Sequence, residues 1–128
     1  MKHTTSTLII ASVIGFLNPA HAEGVDPAVI KSVYDTGRNG SGLINYCVDK
    51  GFLKSDSTES AKKMNTYLAG LPGVDTRDGE QYERYGRKGK IKQKDGKIER
   101  VETAPQGVEA WCKGADEGLR RGLKSVGL

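Results

Sequence analysis

The chain has 128 residues, a formal net charge of +4, two cysteines and two histidines. This length suits one small domain. Both histidines, His3 and His21, lie in a segment with the pattern of a signal peptide, so a mature chain with paired cysteines would lack imidazole and free thiol. That composition excludes Ser-His-Asp and Cys-His catalysis and zinc sites built from His or Cys. The sequence therefore predicts a protein that is not an enzyme and that uses no metal or cofactor.

Residues 1–22 have the features of a cleaved signal peptide. Lys2 precedes an apolar run from Leu8 to Leu17, and Ala20-His21-Ala22 fits the small-residue cleavage pattern. The apolar run is ten residues long, whereas a membrane-spanning helix needs about 20. We expect cleavage after Ala22 and export to the periplasm or the exterior of a bacterium, where thiols are oxidised.

The segment 23–42 is predicted to be a short helix followed by a glycine-rich linker. Asp26 is placed to cap a helix over Pro27–Tyr34, because proline suits the first helical position. The stretch Asp35–Gly42 contains three glycines within six residues, a composition typical of a loop. The main domain is expected to occupy residues 43–128.

The two cysteines each lie on the apolar face of a predicted helix. Cys47 is central in a helix over Leu43–Gly51, and Cys112 lies in a longer helix that starts near Pro105. In an oxidising compartment we expect one disulfide between them, worth on the order of 4 kcal/mol for a loop of this length. The expected fold is a mainly α domain with a minor β component, in which a single disulfide holds a small helical body with one basic hairpin.

Between the cysteines the pattern predicts a helix from about Asp56 to Leu71 and then a polar, turn-rich stretch. Tyr82 and Tyr85 are the only large side chains of that stretch. Their spacing places both on one side of a helix, where they either pack against the hairpin or form a stacking surface for a base or a sugar.

A β-hairpin is predicted at about residues 89–102. Asp95-Gly96 suits the centre of a two-residue type I′ turn. In that register Lys92 faces Glu99, and Ile91 shares a face with Ile98. A three-residue turn would separate the two isoleucines, which favours the shorter turn.

Positive charge is concentrated around this hairpin, where Arg84 to Arg100 includes eight basic and two acidic residues. These basic residues form the candidate binding surface, called the basic surface below: Arg84, Arg87, Lys88, Lys90, Lys92, Lys94, Lys97 and Arg100. Clustered lysines and arginines attract acidic partners over long range. The alternative is a solvated edge strand, since lysines on an edge also prevent aggregation.

The sequence resembles the YjjA-like family of small exported bacterial proteins of unknown function. The residues that carry the resemblance are the segment Gly42–Leu53, the Lys94-Asp95-Gly96 turn and the segment Cys112–Leu123, within residues 40 to 125 or so. The basic middle departs from the family, whose middle is less basic and whose lead before the first cysteine is longer. The resemblance implies an exported, helix-rich domain with a disulfide, and it brings no activity or site residues.

Together these features predict a non-enzymatic envelope protein that binds an acidic protein, an anionic lipid or a lipopolysaccharide surface through the basic surface. Nucleic acid is a less suitable partner for an exported protein, and no transmembrane segment is expected in the mature chain. The alternatives are a secreted inhibitor, an immunity protein or an accessory protein of a secretion or conjugation system. A small enzyme acting on the cell wall is a third reading.

Overall fold

The computed structural model describes residues 24–128, so the predicted signal peptide and its cleavage site lie outside the described residues. This part of the chain forms four α-helices, α1 (Pro27–Asp49), α2 (Ser55–Ala69), α3 (Gly79–Arg87) and α4 (Val108–Ser125). Strands β1 (Lys90–Lys92) and β2 (Ile98–Arg100) form an antiparallel hairpin, and a 3₁₀ turn covers Val101–Thr103. The predicted mainly helical domain with one hairpin and one disulfide is confirmed.

Helix α1 is continuous, and the predicted glycine-rich linker over 35–42 is wrong. Asp26 caps the helix as predicted, since its carboxylate accepts a hydrogen bond of 2.8 Å from the backbone N–H of Ala28. The glycines of the segment lower helix propensity by about 1 kcal/mol each. Packing against the other helices outweighs that loss, because two of these glycines lie at close helix–helix contacts.

A close helix–helix contact joins Gly42 of α1 to Gly86 of α3. A Cβ atom on either residue would overlap backbone atoms of the opposite helix. Nearby, a Cβ on Gly37 would overlap the side chain of Leu68 in α2. These glycines are therefore required by packing rather than by a turn.

The core surrounds the disulfide between Cys47 and Cys112, whose Cα atoms are 5.7 Å apart. Leu43, Tyr46 and Val101 complete the buried cluster. Five partly buried apolar side chains pack against this cluster: Phe52, Leu53, Ile91, Val108 and Trp111. The bond thus ties the end of α1 to the start of α4.

Helix α4 starts later than predicted, and most of its glycines do not pack against another helix. It begins at Val108, after Gly107, rather than at Pro105. Gly114 and Gly118 have open space where a Cβ would lie, and only Gly122 approaches another helix, at the side chain of Met64. The four-residue glycine spacing is therefore not a close-packed seam.

The hairpin forms where predicted, but its register is one residue away from the prediction. Lys92 pairs with Ile98, and Ile91 pairs with Glu99. The turn is longer because Gly96 alone adopts a positive φ, of 86°, whereas a type I′ turn would also force Asp95 into that region. A shift of one residue exchanges the two faces of a strand, so Ile91 packs on the core while Ile98 is 45% exposed.

Candidate binding surface

Asn39 of α1 attaches the hairpin to the helical body. Its side chain is buried, and its amide nitrogen donates hydrogen bonds of 3.0 Å to the carbonyl oxygens of Tyr82 and Lys90. Its oxygen accepts a hydrogen bond of 3.2 Å from the backbone N–H of Lys92. The amide thus takes the place of a third strand along the free edge of β1, which fixes the position of the lysines on that strand.

Glu83 of α3 fixes the orientation of the helix that carries the two candidate tyrosines. Arg38 of α1 donates a hydrogen bond of 2.7 Å to this carboxylate, and the Ser41 hydroxyl donates another at 3.3 Å. Burial lowers the pKa of Arg38, but its hydrogen bonds to Glu83 and to the Tyr34 hydroxyl outweigh burial and leave the pKa raised. The pair therefore holds α3 against α1 with full charge on the guanidinium.

Tyr82 and Tyr85 lie side by side under one lysine. The Lys92 ammonium is 4.5 Å from the ring centre of Tyr82 and 5.2 Å from that of Tyr85. Both contacts are within cation–π range. The structure therefore brings the two rings together on a helix, as the spacing predicted, and packs them against the hairpin through Lys92.

The eight residues of the basic surface divide into two groups of four. One group has a carboxylate within 4.0 Å: Arg84 with Glu80, Arg87 with Glu83, Lys97 with Asp95, and Arg100 with Glu102. The other group has no such partner among residues 24–128: Lys88, Lys90, Lys92 and Lys94. Between Glu80 and Glu102, eight basic and five acidic residues leave a net charge of +3. The free charge is thus concentrated on four lysines at alternate positions from the end of α3 to the turn.

One cross-strand pair of the hairpin places like charges opposite each other. Lys90 pairs directly with Arg100 across the two strands. Such pairs destabilise a hairpin. Because side chains alternate along a strand, Lys92 and the exposed Ile98 lie on the same face. This face therefore presents three cations around one apolar side chain.

No protein-family model, curated protein or solved structure matches this chain. The resemblance to the YjjA-like family therefore stays a prediction. Within residues 24–128, no helix has the length and apolar character needed to cross a membrane.

A cleft of about 200 Å³ lies between the first half of α1 and the hairpin, and we call it the α1–β1 cleft. Its lining residues are Ala28, Lys31, Ser32, Asp35, Thr36, Tyr82, Lys92 and Lys94. Lys31 donates hydrogen bonds of 2.7 Å to Asp35 and to Asp78, which raise the pKa of the lysine well above its usual value. The cleft thus joins Lys92 and Lys94 of the basic surface to polar side chains of α1.

The sequence pattern did not identify the residues of α1 that line this cleft as part of a binding site. Ser32 and Thr36 are one helical turn apart, as are Lys31 and Asp35, so a continuous helix places these four residues along one side. This four-residue spacing could have indicated a continuous helical face, but the three glycines that follow favoured the prediction of a loop.

A second hollow, of about 220 Å³, lies beside Tyr85 and is lined by Gln81, Arg84 and Lys88. An apolar cavity of about 150 Å³ lies elsewhere, between α1, α2 and α4, and Ile44, Met64 and Trp111 are among its lining residues. No residue of the basic surface lines the apolar cavity. Two hollows therefore lie at the basic surface, whereas the apolar cavity and a further hollow of about 540 Å³, lined by Phe52, Gln106 and Lys113 among others, lie apart from it.

Proposed function

We propose that this protein is an exported, non-enzymatic component of the bacterial envelope that binds an acidic partner through the basic surface. The observation that carries the proposal is the group of four lysines from Lys88 to Lys94 that have no carboxylate within 4.0 Å among residues 24–128. Lys90 and Lys92 lie on β1, which Asn39 fixes, whereas Lys88 directly follows α3 and Lys94 lies in the hairpin turn.

Two further features support binding over a purely protective edge. A protective edge needs only that its backbone be covered, and the Asn39 amide already occupies the outer edge of β1. The pairing of Lys90 with Arg100 costs stability, and at β1 the lysine is not needed for protection, because the Asn39 amide already occupies that edge. An acidic partner would remove that repulsion on binding.

The test measures binding to anionic lipid vesicles while the salt concentration rises from about 50 to about 300 mM, a range over which screening of surface charges becomes strong. The parent protein should lose most of its affinity over this range. Because a lysine near an anionic surface contributes about 1 kcal/mol, the variant K88Q/K90Q/K94Q should bind on the order of 100-fold more weakly at low salt.

The control variant is K54Q/K63Q/K124Q, which removes the same charge from exposed lysines outside the basic surface that also have no carboxylate within 4.0 Å among residues 24–128. It should lose several-fold less affinity than K88Q/K90Q/K94Q. Equal losses in the two variants would show that net charge alone drives binding. Affinity of the parent that does not fall with salt would refute the electrostatic proposal.

A further inference from the structure

We infer that the α1–β1 cleft is a subsite that binds a single phosphate-ester headgroup, with the phosphate held between Lys92 and Lys94. This inference rests on the proposed function, since it assigns the chemistry of the acidic partner. The volume of about 200 Å³ leaves room for one small headgroup and not for a protein segment. The cleft is built from α1, α3 and the hairpin, which Asn39 and Glu83 hold together.

The cleft offers cations and hydroxyl donors for one anion. Lys92 and Lys94 have no carboxylate within 4.0 Å in the described part of the chain. Ser32 and Thr36 line the same cleft from α1, and no hydrogen bond joins either hydroxyl to another described side chain. Two ammonium groups and two hydroxyls can serve the four oxygens of a phosphate group, of which three are unesterified in a monoester and two in a phospholipid headgroup.

The number of oxygens favours phosphate over carboxylate, since a phosphate group has four and a carboxylate has two. Lysine binds phosphate as a point charge, whereas a guanidinium binds either anion through two parallel hydrogen bonds. No arginine lines the α1–β1 cleft. The two arginines of the nearby helix α3, Arg84 and Arg87, are paired with Glu80 and Glu83.

The wall of the cleft also contains a buried carboxylate. Asp35 is only 5% exposed, its Oδ2 accepts a hydrogen bond from Lys31, and its Oδ1 has no donor among residues 24–128. Because Oδ1 is shielded from solvent, it offers no hydrogen bond to a ligand. Glycerol phosphate is therefore used below as a simple phosphate ester.

The test compares the parent with S32A/T36V, which removes two hydroxyls from the cleft and changes no charge. The matched control is S60A/T66V, which makes the same chemical change on α2. Binding is measured to free glycerol phosphate, to phosphatidylglycerol vesicles and to oleate-containing vesicles of equal surface charge. We expect S32A/T36V to bind glycerol phosphate and phosphatidylglycerol about tenfold more weakly, as the loss of two hydrogen bonds implies, and to bind oleate vesicles as the parent does.

The arms of the experiment also distinguish the source of the headgroup. Tighter binding per phosphate to vesicles than to free glycerol phosphate would assign a lipid headgroup, and equal binding would assign a soluble ester. Either result supports the subsite if S32A/T36V weakens the binding and S60A/T66V does not. Unchanged binding by S32A/T36V, or equal parent affinity for phosphate and carboxylate vesicles, would overturn it.

Failure of the subsite and failure of the proposed function give different results. If only the subsite is wrong, S32A/T36V has no effect while K88Q/K90Q/K94Q still weakens vesicle binding in a salt-dependent way. If the proposed function is wrong, the parent itself shows no salt-dependent binding to either kind of vesicle.

Discussion

Replacing Asn39 by aspartate should destabilise the fold in a way that depends on pH. N39D keeps the shape of the side chain and replaces the donor NH₂ by a carboxylate oxygen. That oxygen would face the carbonyl oxygens of Tyr82 and Lys90, which accept hydrogen bonds of 3.0 Å in the parent. Both carbonyl oxygens would lose their hydrogen bond from residue 39, and a negative charge would be buried beside them.

The magnitude follows from these two lost hydrogen bonds. Each buried acceptor without a donor costs about 1–3 kcal/mol, so we expect a loss of about 4 kcal/mol in the free energy of unfolding at pH 7. Burial raises the pKa of the introduced carboxyl above its unfolded value of about 3.9. The stability gained from protonation in the folded state is fully present below about pH 3.9 and is lost as pH rises through the folded pKa. A protonated carboxyl can donate one hydrogen bond, so about half of the deficit should disappear near pH 3.5.

The assay is urea unfolding followed by circular dichroism at pH 7 and near pH 3.5, with N39D compared with the parent at each pH. The control is Q106E, the same change of amide to carboxylate at an exposed residue, which should differ from the parent by less than about 0.5 kcal/mol. A deficit of N39D below about 1 kcal/mol at pH 7, or a deficit that does not shrink at low pH, would refute the role given to Asn39.

Three further predictions concern stability. Reduction of the Cys47–Cys112 bond should remove about 4 kcal/mol and leave the protein largely unfolded at 37 °C; near-UV circular dichroism that is unchanged on reduction would contradict this. G42A should cost more than about 3 kcal/mol because its methyl group would overlap the backbone of α3, whereas G118A, with open space around its Cβ, should stabilise the protein by up to about 1 kcal/mol in thermal unfolding. Burial and the nearby Glu102 raise the pKa of Tyr46. The contribution of the protonated Tyr46 to the stability of the fold is therefore present below the usual tyrosine pKa of about 10, and it is lost as pH rises through the pKa of Tyr46 in the folded protein. Absorbance titration should show that Y46F lacks a component above pH 10 or so, and an identical curve would exclude the shift.

The helical class and the disulfide could be predicted because their signals are local or compositional. The chain has only two cysteines, both on apolar helical faces, so each has one possible partner. The continuity of α1 could not be predicted from local sequence, because Gly37 and Gly42 disfavour a helix. Their role depends on Leu68 and Gly86, which are distant in sequence.

The candidate site was predictable in its charge and not in its geometry. The density of lysines identified the basic surface, and the three-residue spacing placed Tyr82 and Tyr85 together. The hairpin register depended on which residues tolerate positive φ and on the amide of Asn39 at the edge of β1. The α1 residues of the cleft could not be predicted, because the glycines of that segment indicated a loop where the structure has a helix.

The position of the disulfide also decides how the molecule carries a pulling force applied to its two ends. Tension entering through α1 passes at Cys47 directly into Cys112 and α4, so it bypasses α2, α3 and the hairpin. Reduction would release the 65-residue separation between the cysteines, which adds about 220 Å to the extensible length. While the bond is intact, the covalent load path excludes the segment that carries the basic surface, and only the contacts of that segment with α1 and α4 feel the force.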